Sequence, residues 1–304
     1  MPVKILDPFL KSEKIEKDLR EIIFSIARAG KYVANAIRTK KPTFSGTKNE
    51  SGEKQLELDV LADKIFCNHL RAAGNVAKFA SEEQENEIEI SSNGKFCICF
   101  DPLDGSSLVS TNLAIGSIFG IFPGNNFLGR YGNEILAAGY FIFGPRTILV
   151  IGVKNKIFSF FENYIGEFEF FSDNLSILPD SKTFSPGNLR AVNENLKYKK
   201  LIENWQERQL TLRYSGGMVP DVHQIFAKNS GIFSYPGFSK YPNGKLRILF
   251  ECAPFAFLAK IAGGLAKTEQ GKNILDQKIL ALHQRSTIFI GSKNEVENAM
   301  RFCA

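Results

Sequence analysis

Nine consecutive residues, Cys99 to Ser107 (CFDPLDGSS), set two carboxylates three positions apart and follow them at once with a glycine and two serines. That order suits a divalent cation and then a phosphate. Asp101 and Asp104, aimed from one strand end, can share a hard cation, because carboxylate oxygens are the donors such ions prefer. Gly105 carries no side chain, so backbone N–H groups there and at Ser106 and Ser107 can surround a phosphate oxygen, especially where a helix begins. An ordinary turn also uses Asp and Gly, but it explains each residue type and not the whole string.

Further acids extend the pattern. Ser81-Glu82-Glu83 ends an alternating run from Val76 to Ala80 (VAKFA), which reads as a short strand. A Glu-Glu pair on its own is usually a solvated surface pair. Asp59 stands near the start of a helical pattern that includes Leu61, Ile65, Phe66 and Leu70, where it can equally serve as a cap or a favourable charge at the helix start. Glu251 closes the apolar run Arg247 to Cys252 (RILFEC), which reads as a strand ahead of Pro254. A buried carboxylate there calls for a partner or a metal.

The elements that must hold these residues follow from periodicity. Lys95 to Phe100 (KFCICF) is apolar nearly throughout, as in a strand buried on both faces, and it delivers Asp101 at its carboxyl end, where Pro102 is expected to stop the ladder. Six strand-like runs between residues 95 and 171 (KFCICF, SIFGIF, AAGYFIF, TILVIGV, KIFSFF and GEFEFF), with Gly and Asn between them, predict an antiparallel meander. Upstream, Ile15, Leu19, Ile22, Ile26, Gly30, Val33 and Ile37 recur every three or four residues, predicting a long amphipathic helix capped by Ser12. Residues 44–54 are rich in Gly, Ser, Asn and Thr and are expected to form a mobile loop. After Ser185-Pro186-Gly187 the pattern changes to helices alternating with short strands, which divides the chain into segments 1–182 and 183–304.

Composition narrows the chemistry. The 304 residues are 44% hydrophobic and 23% charged, enough for one large core or two fused ones. No apolar run approaches the ~18 residues of a membrane span, and the N-terminal apolar stretch is too short for a signal peptide, so a cytoplasmic protein without a membrane partner is expected. Five cysteines form neither a disulfide framework nor a zinc pattern, and three histidines stand far apart; magnesium or manganese is favoured over zinc. The net charge of +6 fits a pocket that attracts anionic ligands. The basic runs RTKK (38–41) and KYKK (197–200) are short and lack interleaved stacking aromatics, so no nucleic-acid partner is expected.

The strings SEE, CFDPLDGSS, GSIFGI, TLRYSGGMVPDVH, GIFSYP, NGKLRILFEC and IAGG, in this order, resemble the class I fructose-1,6-bisphosphatase family, which includes the sedoheptulose-1,7-bisphosphatases. The resemblance runs from Leu19 to Gly291, and DGSSLVSTN, FGPRT, FSPGNLRA and GGMVPDV look closer to the sedoheptulose branch. It implies a mixed α/β chain folded as a layered α/β sandwich of the sugar-phosphatase type. The first segment would carry the metals and the 1-phosphate, and the second the sugar and its distal phosphate. Carried over residue by residue, the resemblance implies two or more Mg2+ ions, with Mn2+ as a substitute, held by Glu82, Glu83, Asp101, the Leu103 carbonyl, Asp104 and Glu251. Asp59, with Glu82 and Glu83, would activate the attacking water, and Gly105, Ser106 and Ser107 beside Asp104 would hold the 1-phosphate. Asn193, Arg213, Tyr214, Met218, Tyr235 and Lys245 match the sugar and distal-phosphate positions. Leu196 stands where a tyrosine is usual, which leaves Tyr198 as its substitute.

The activity so implied is hydrolysis of fructose 1,6-bisphosphate to fructose 6-phosphate, with sedoheptulose 1,7-bisphosphate as an alternative or second substrate. The partner implied is another copy of the chain, in a homotetramer whose Arg213 reaches the neighbouring subunit's distal pocket. Inositol and nucleotide phosphatases share the DPLDG element but not TLRYSGGM or NGKLR. The complete set of acids argues against an inactive phosphosugar-binding regulator.

Overall fold

The computed structural model describes residues 4–41, 43–48 and 54–303. An N-terminal block contains α1 (Leu6–Ser12), α2 (Lys17–Thr39), the antiparallel pair β1 (Phe44–Lys48) and β2 (Lys54–Leu56), and α3 (Glu57–Ala72). Leu19, Ile22, Ile26 and Val33 of α2 are buried, as are Leu58, Ala62, Phe66 and Leu70 of α3, so each helix puts one apolar stripe inward. Two expectations fail here. Ser12 ends α1 instead of capping the long helix, and its hydroxyl donates to Phe9 O within its own helix (2.7 Å). The stretch expected as a mobile loop contains β1 and β2, while residues 49–53 lie outside the described residues.

Strands β3 (Val76–Ser81), β4 (Ile88–Glu89), β5 (Phe96–Asp104), β6 (Ile115–Pro123), β7 (Ala137–Phe143), β8 (Thr147–Val153), β9 (Lys156–Glu162) and β10 (Phe168–Ser172) form one sheet, ordered β10-β9-β8-β7-β6-β5-β3-β4. From β5 to β10 neighbours in space are neighbours in sequence and antiparallel, which is the meander the periodicity predicts. β3 joins β5 in parallel with Ser81 opposite Phe100. Both strands therefore end on the same side, and Glu82 leaves the sheet beside Asp101.

The second half alternates β11 (Thr183–Pro186), α4 (Leu196–Glu207), β12 (Thr211–Leu212), α5 (Met218–Ala227), β13 (Ile232–Tyr235), β14 (Leu246–Arg247), α6 (Ala253–Ile261), β15 (Leu265–Lys267), β16 (Arg285–Ser286), β17 (Ile288–Gly291) and α7 (Lys293–Cys303). A five-stranded sheet runs β12-β11-β13-β17-β15, and β14 pairs with β16 apart from it.

Alternation along the strands explains the layering. Ile98 and Phe100 of β5 face the N-terminal helices, whereas Cys97 and Cys99 face α5, α6 and the smaller sheet. Phe184, Ile232 and Phe289, on that sheet's outer face, pack with Trp205 of α4 and Val296 of α7. Helices, sheet, helices, sheet and helices follow in order, a layered α/β sandwich. The expected division at 182/183 falls between β10 and β11, yet Ala80, Cys99 and Ile118 share a core with Phe226, Phe250 and Leu258. Among the described residues no helix is long and apolar enough to cross a membrane, and all five cysteines are free and buried.

Candidate active site

Carboxylate oxygens of Asp101, Asp104 and Glu251 lie within 4.8 Å of one another, and all three residues are buried. Two local irregularities bring them together. In an unbroken strand, residues three apart point to opposite faces. β5 does not stop at Pro102 as expected. It continues with a shift of register between Asp101 and Asp104, where the proline's missing N–H costs no ladder bond and its carbonyl accepts from Ser117 Oγ (2.7 Å). Glu251 likewise does not end a strand: β14 covers only Leu246–Arg247, and Ile248–Cys252 form a π-helical turn that runs into α6. Such widened turns recur at functional sites.

Each acid is anchored by backbone donors. Val219 N and Met218 N, in the first turn of α5, donate to Asp104 (2.7 and 3.3 Å); these are N–H groups that no helical carbonyl satisfies. Leu103 N donates to Asp101 (2.9 Å), and Arg247 N to Glu251 (2.6 Å). The buried Arg247 guanidinium pairs with Glu82 and lies 3.8 Å from Glu251. Even so, burial pushes the carboxyl of Asp104 up to about 6 and that of Glu251 up to about 7, against the opposing pull of their hydrogen bonds and of Lys245 and Arg247. Burial raises Asp101 too, reinforced by Glu82, Asp104 and Glu251. Converging buried oxygen donors that repel one another fit a hard divalent cation, which would satisfy both their charge and their lone pairs.

The acids open into a cleft of about 490 Å3. It gathers Glu82, Glu83, Leu103, Gly105, Ser106 and Ser107 around Asp101, Asp104 and Glu251, and brings in Tyr214, Met218, Tyr235 and Lys245 from the second segment. Gly105, at φ +79°, turns the chain from β5 into the short 3-10 turn Ser106–Thr111, a backbone conformation that favours glycine.

Three residues carried over from the resemblance do not line this cleft. Asp59 is buried in the first turn of α3, where it accepts from Leu56 N (2.8 Å), the helix-start role. Asn193 is exposed at the end of the 3-10 turn Leu189–Asn193, and Arg213 is exposed with Nη1 donating to Leu212 O (3.1 Å). Tyr198 cannot stand in for the tyrosine missing at Leu196, because it is fully buried and shares a hydrogen bond with Ser234 Oγ (2.9 Å).

Sequence reasoning missed four residues. Arg190 and Arg247 line the cleft, as does Asp221, only 1% exposed, which accepts from Ser215 N (2.8 Å) and fixes the loop before α5. Asp63 of α3 accepts from Ser81 Oγ (2.6 Å) and Gln84 Nε2 (2.7 Å), clamping both sides of the Glu82-Glu83 pair. The signal for Arg247 was present, four residues before Glu251 at the head of an apolar run. Nothing in local periodicity pointed to Asp63 or Arg190.

Comparisons with known proteins agree with this architecture. Residues 3–173 match the family model described as fructose-1-6-bisphosphatase, N-terminal domain, and residues 177–304 match the corresponding C-terminal domain. The chain is 42% identical over 299 residues to a fructose-1,6-bisphosphatase class 1 of Geobacter sulfurreducens, covering 96% of this chain and 93% of that one. It is 39% identical over 297 residues to a chloroplastic sedoheptulose-1,7-bisphosphatase of Triticum aestivum, covering 96% and 74%. Among solved structures, a putative sedoheptulose-1,7 bisphosphatase from Toxoplasma gondii superposes with a TM-score of 0.92 at 32% identity, covering 98% of each chain. Leishmania major fructose-1,6-bisphosphatase in its holo form gives 0.93 at 29%, covering 99% of each.

Proposed function

The chain belongs to the fructose-1,6-bisphosphatase family, and we propose that it is a metal-dependent sugar-bisphosphate 1-phosphatase that hydrolyses fructose 1,6-bisphosphate to fructose 6-phosphate and phosphate. One observation carries this reading: a single cleft joins the converging carboxylates Asp101, Asp104 and Glu251 to the cation and aromatics Lys245, Tyr214 and Tyr235. Such a cleft suits a substrate with a phosphate at each end.

Magnesium, or manganese in its place, would be held by Asp101, Asp104 and Glu251 with Glu82, Glu83 and the Leu103 carbonyl beside them, two or more ions per chain, and would supply positive charge to the phosphoryl oxygens. The chain's own groups do the rest. Backbone N–H groups from Gly105 to Ser107 orient the 1-phosphate. Glu83, whose neighbour Glu82 is tied to Arg247, takes a proton from the attacking water. The bond between phosphorus and the C1 oxygen breaks in line with that attack, and the departing oxygen takes a proton from solvent while Glu83 releases its own. Met218, Tyr214, Tyr235 and Lys245 hold the sugar and its far phosphate. Arg213, exposed and outside its own cleft, serves the neighbouring subunit's distal pocket in a homotetramer.

Sedoheptulose 1,7-bisphosphate is a second substrate in this reading, favoured by FSPGNLRA and by the likeness to the wheat and Toxoplasma gondii proteins. The test is phosphate release from fructose 1,6-bisphosphate, sedoheptulose 1,7-bisphosphate, inositol 1-phosphate and an adenosine bisphosphate, each with magnesium and with excess chelator. Magnesium-dependent release from the two ketose bisphosphates is expected. Release from inositol 1-phosphate alone, or undiminished release in chelator, overturns the reading.

A further inference from the structure

Three cationic side chains line the cleft: Arg190, Lys245 and Arg247. Arg247 is buried and committed to Glu82 and Glu251. Lys245 acts electrostatically on both Asp104 and Tyr235, so its charge is shared with the acid end. Arg190 differs from both. It is exposed, it has no hydrogen-bond or ion-pair partner among the described residues, and the cleft group that feels its charge is Tyr235.

The backbone under Arg190 is fixed although its side chain is not. Gly187 N donates to Ser234 O (2.8 Å), and a Cβ at Gly187 would sit 2.8 Å from the Tyr235 ring and 2.9 Å from that of Phe233, so only glycine lets the end of β11 lie against these aromatics. Four residues on, Ala191 is buried within the 3-10 turn Leu189–Asn193, which holds the Cα of Arg190 at the cleft wall. An arginine fork with no internal partner, mounted on a rigid wall beside a phenol, is arranged to meet an anion, and a phosphate accepts its two parallel N–H bonds.

We propose that Arg190 is a second cation, beside Lys245, with which each chain binds the distal phosphate in its own cleft, and that it strengthens the preference for bisphosphorylated over monophosphorylated sugars. The proposal rests on the reading of the cleft as a sugar-bisphosphate site. It assigns to one chain a contact that the resemblance left to the partner's copy of Arg213, which in its own chain lies outside the cleft. A substrate gripped at both ends within one chain is positioned for attack at its 1-phosphate without waiting for subunit rearrangement.

The test compares wild type, Arg190→Leu and Arg190→Lys as full chains loaded with magnesium, using fructose 1,6-bisphosphate and fructose 1-phosphate. Arg190→Leu should raise KM for the bisphosphate about ten- to hundredfold, the worth of a charge-assisted pair, with kcat within a few-fold. Its kcat/KM for fructose 1-phosphate, which has no distal phosphate, should match wild type. Arg190→Lys should recover part of the loss, keeping the charge without the fork. Equal loss on both sugars, or no loss on either while wild type cleaves the bisphosphate, overturns the role of Arg190 alone. Wild type that cleaves neither sugar overturns the reading of the site, and the proposal with it.

Discussion

The two ends of the cleft are built by opposite strategies. At the acid end, Asp101, Asp104 and Glu251 are buried, each carboxylate is pinned by backbone N–H groups, and the elements that carry them are a register shift in β5 and a π-helical turn. At the distal end, Tyr214 is 59% exposed, Arg190 is exposed and Tyr235 is half-buried at the end of β13. On the proposed function, the chemistry that needs fixed charge falls to buried, hydrogen-bonded carboxylates and recognition of one end of the sugar to more exposed side chains, and the contrast predicts where damage will register.

Asp104→Ala removes an acid-end oxygen donor and leaves Met218 N and Val219 N without their acceptor, so kcat should fall on the order of 10^2–10^3. Lys245→Met, at the other end, should leave kcat within a few-fold and raise KM for the bisphosphate about ten- to hundredfold. Steady-state kinetics with circular dichroism to verify folding separates the two. A kcat loss for Lys245→Met equal to that for Asp104→Ala would erase the distinction between the ends.

The same contrast governs what could be read from sequence. The acid end was legible because its residues are contiguous or close strand ends: CFDPLDGSS and SEE carry five of its carboxylates and glycines within 25 positions of one another, and the apolar runs before them place both on buried strands. The five-layer sandwich was legible only in part. The period-two meander from β5 to β10 was plain, whereas the π-helical turn at Glu251 hid inside an apolar run that fits a strand equally well. At the distal end, position was inferred by counting from neighbouring motifs, and counting fails in loops. It chose Asn193, at the end of the turn Leu189–Asn193 and outside the cleft, and passed over Arg190 on the same turn, whose exposed side chain leaves no periodic trace.

Acid-end burial also has a cost that depends on pH. Asp104 and Glu251 bind their protons more tightly in the folded chain than when unfolded, at about 6 and about 7 against model-compound values of 3.8 and 4.5. The folded state therefore holds more protons across that interval, and stability falls as pH rises from about 4 to about 7. Metal-free protein should lose thermal stability over this window, while magnesium, by stabilising the ionised forms, should flatten the fall. Calorimetric Tm values across pH 4–8, with chelator and with magnesium, check it. A metal-free Tm that climbs through the window would mean the carboxylates are already balanced by the protein.

The smallest effect concerns Asp59, which the resemblance places at the attacking water and the structure places in the first turn of α3. Its side chain satisfies Leu56 N, one of the amides that the helix itself leaves unpaired, and both residues are buried. Asp59→Ala should therefore cost about 1–2 kcal/mol of stability, the usual loss for a helix-start acceptor. Because Asp59 does not line the cleft, kcat of the magnesium-loaded protein below its Tm should stay within about twofold of wild type, an effect under about 0.5 kcal/mol on the barrier. Glu83→Gln is the control, since it lines the cleft and should lower kcat on the order of 10^2 or more with little change in Tm. If Asp59→Ala instead reproduced the Glu83→Gln profile, α3 would have to shift its first turn toward the cleft during turnover. The acid end would then share the mobility that otherwise distinguishes the distal one.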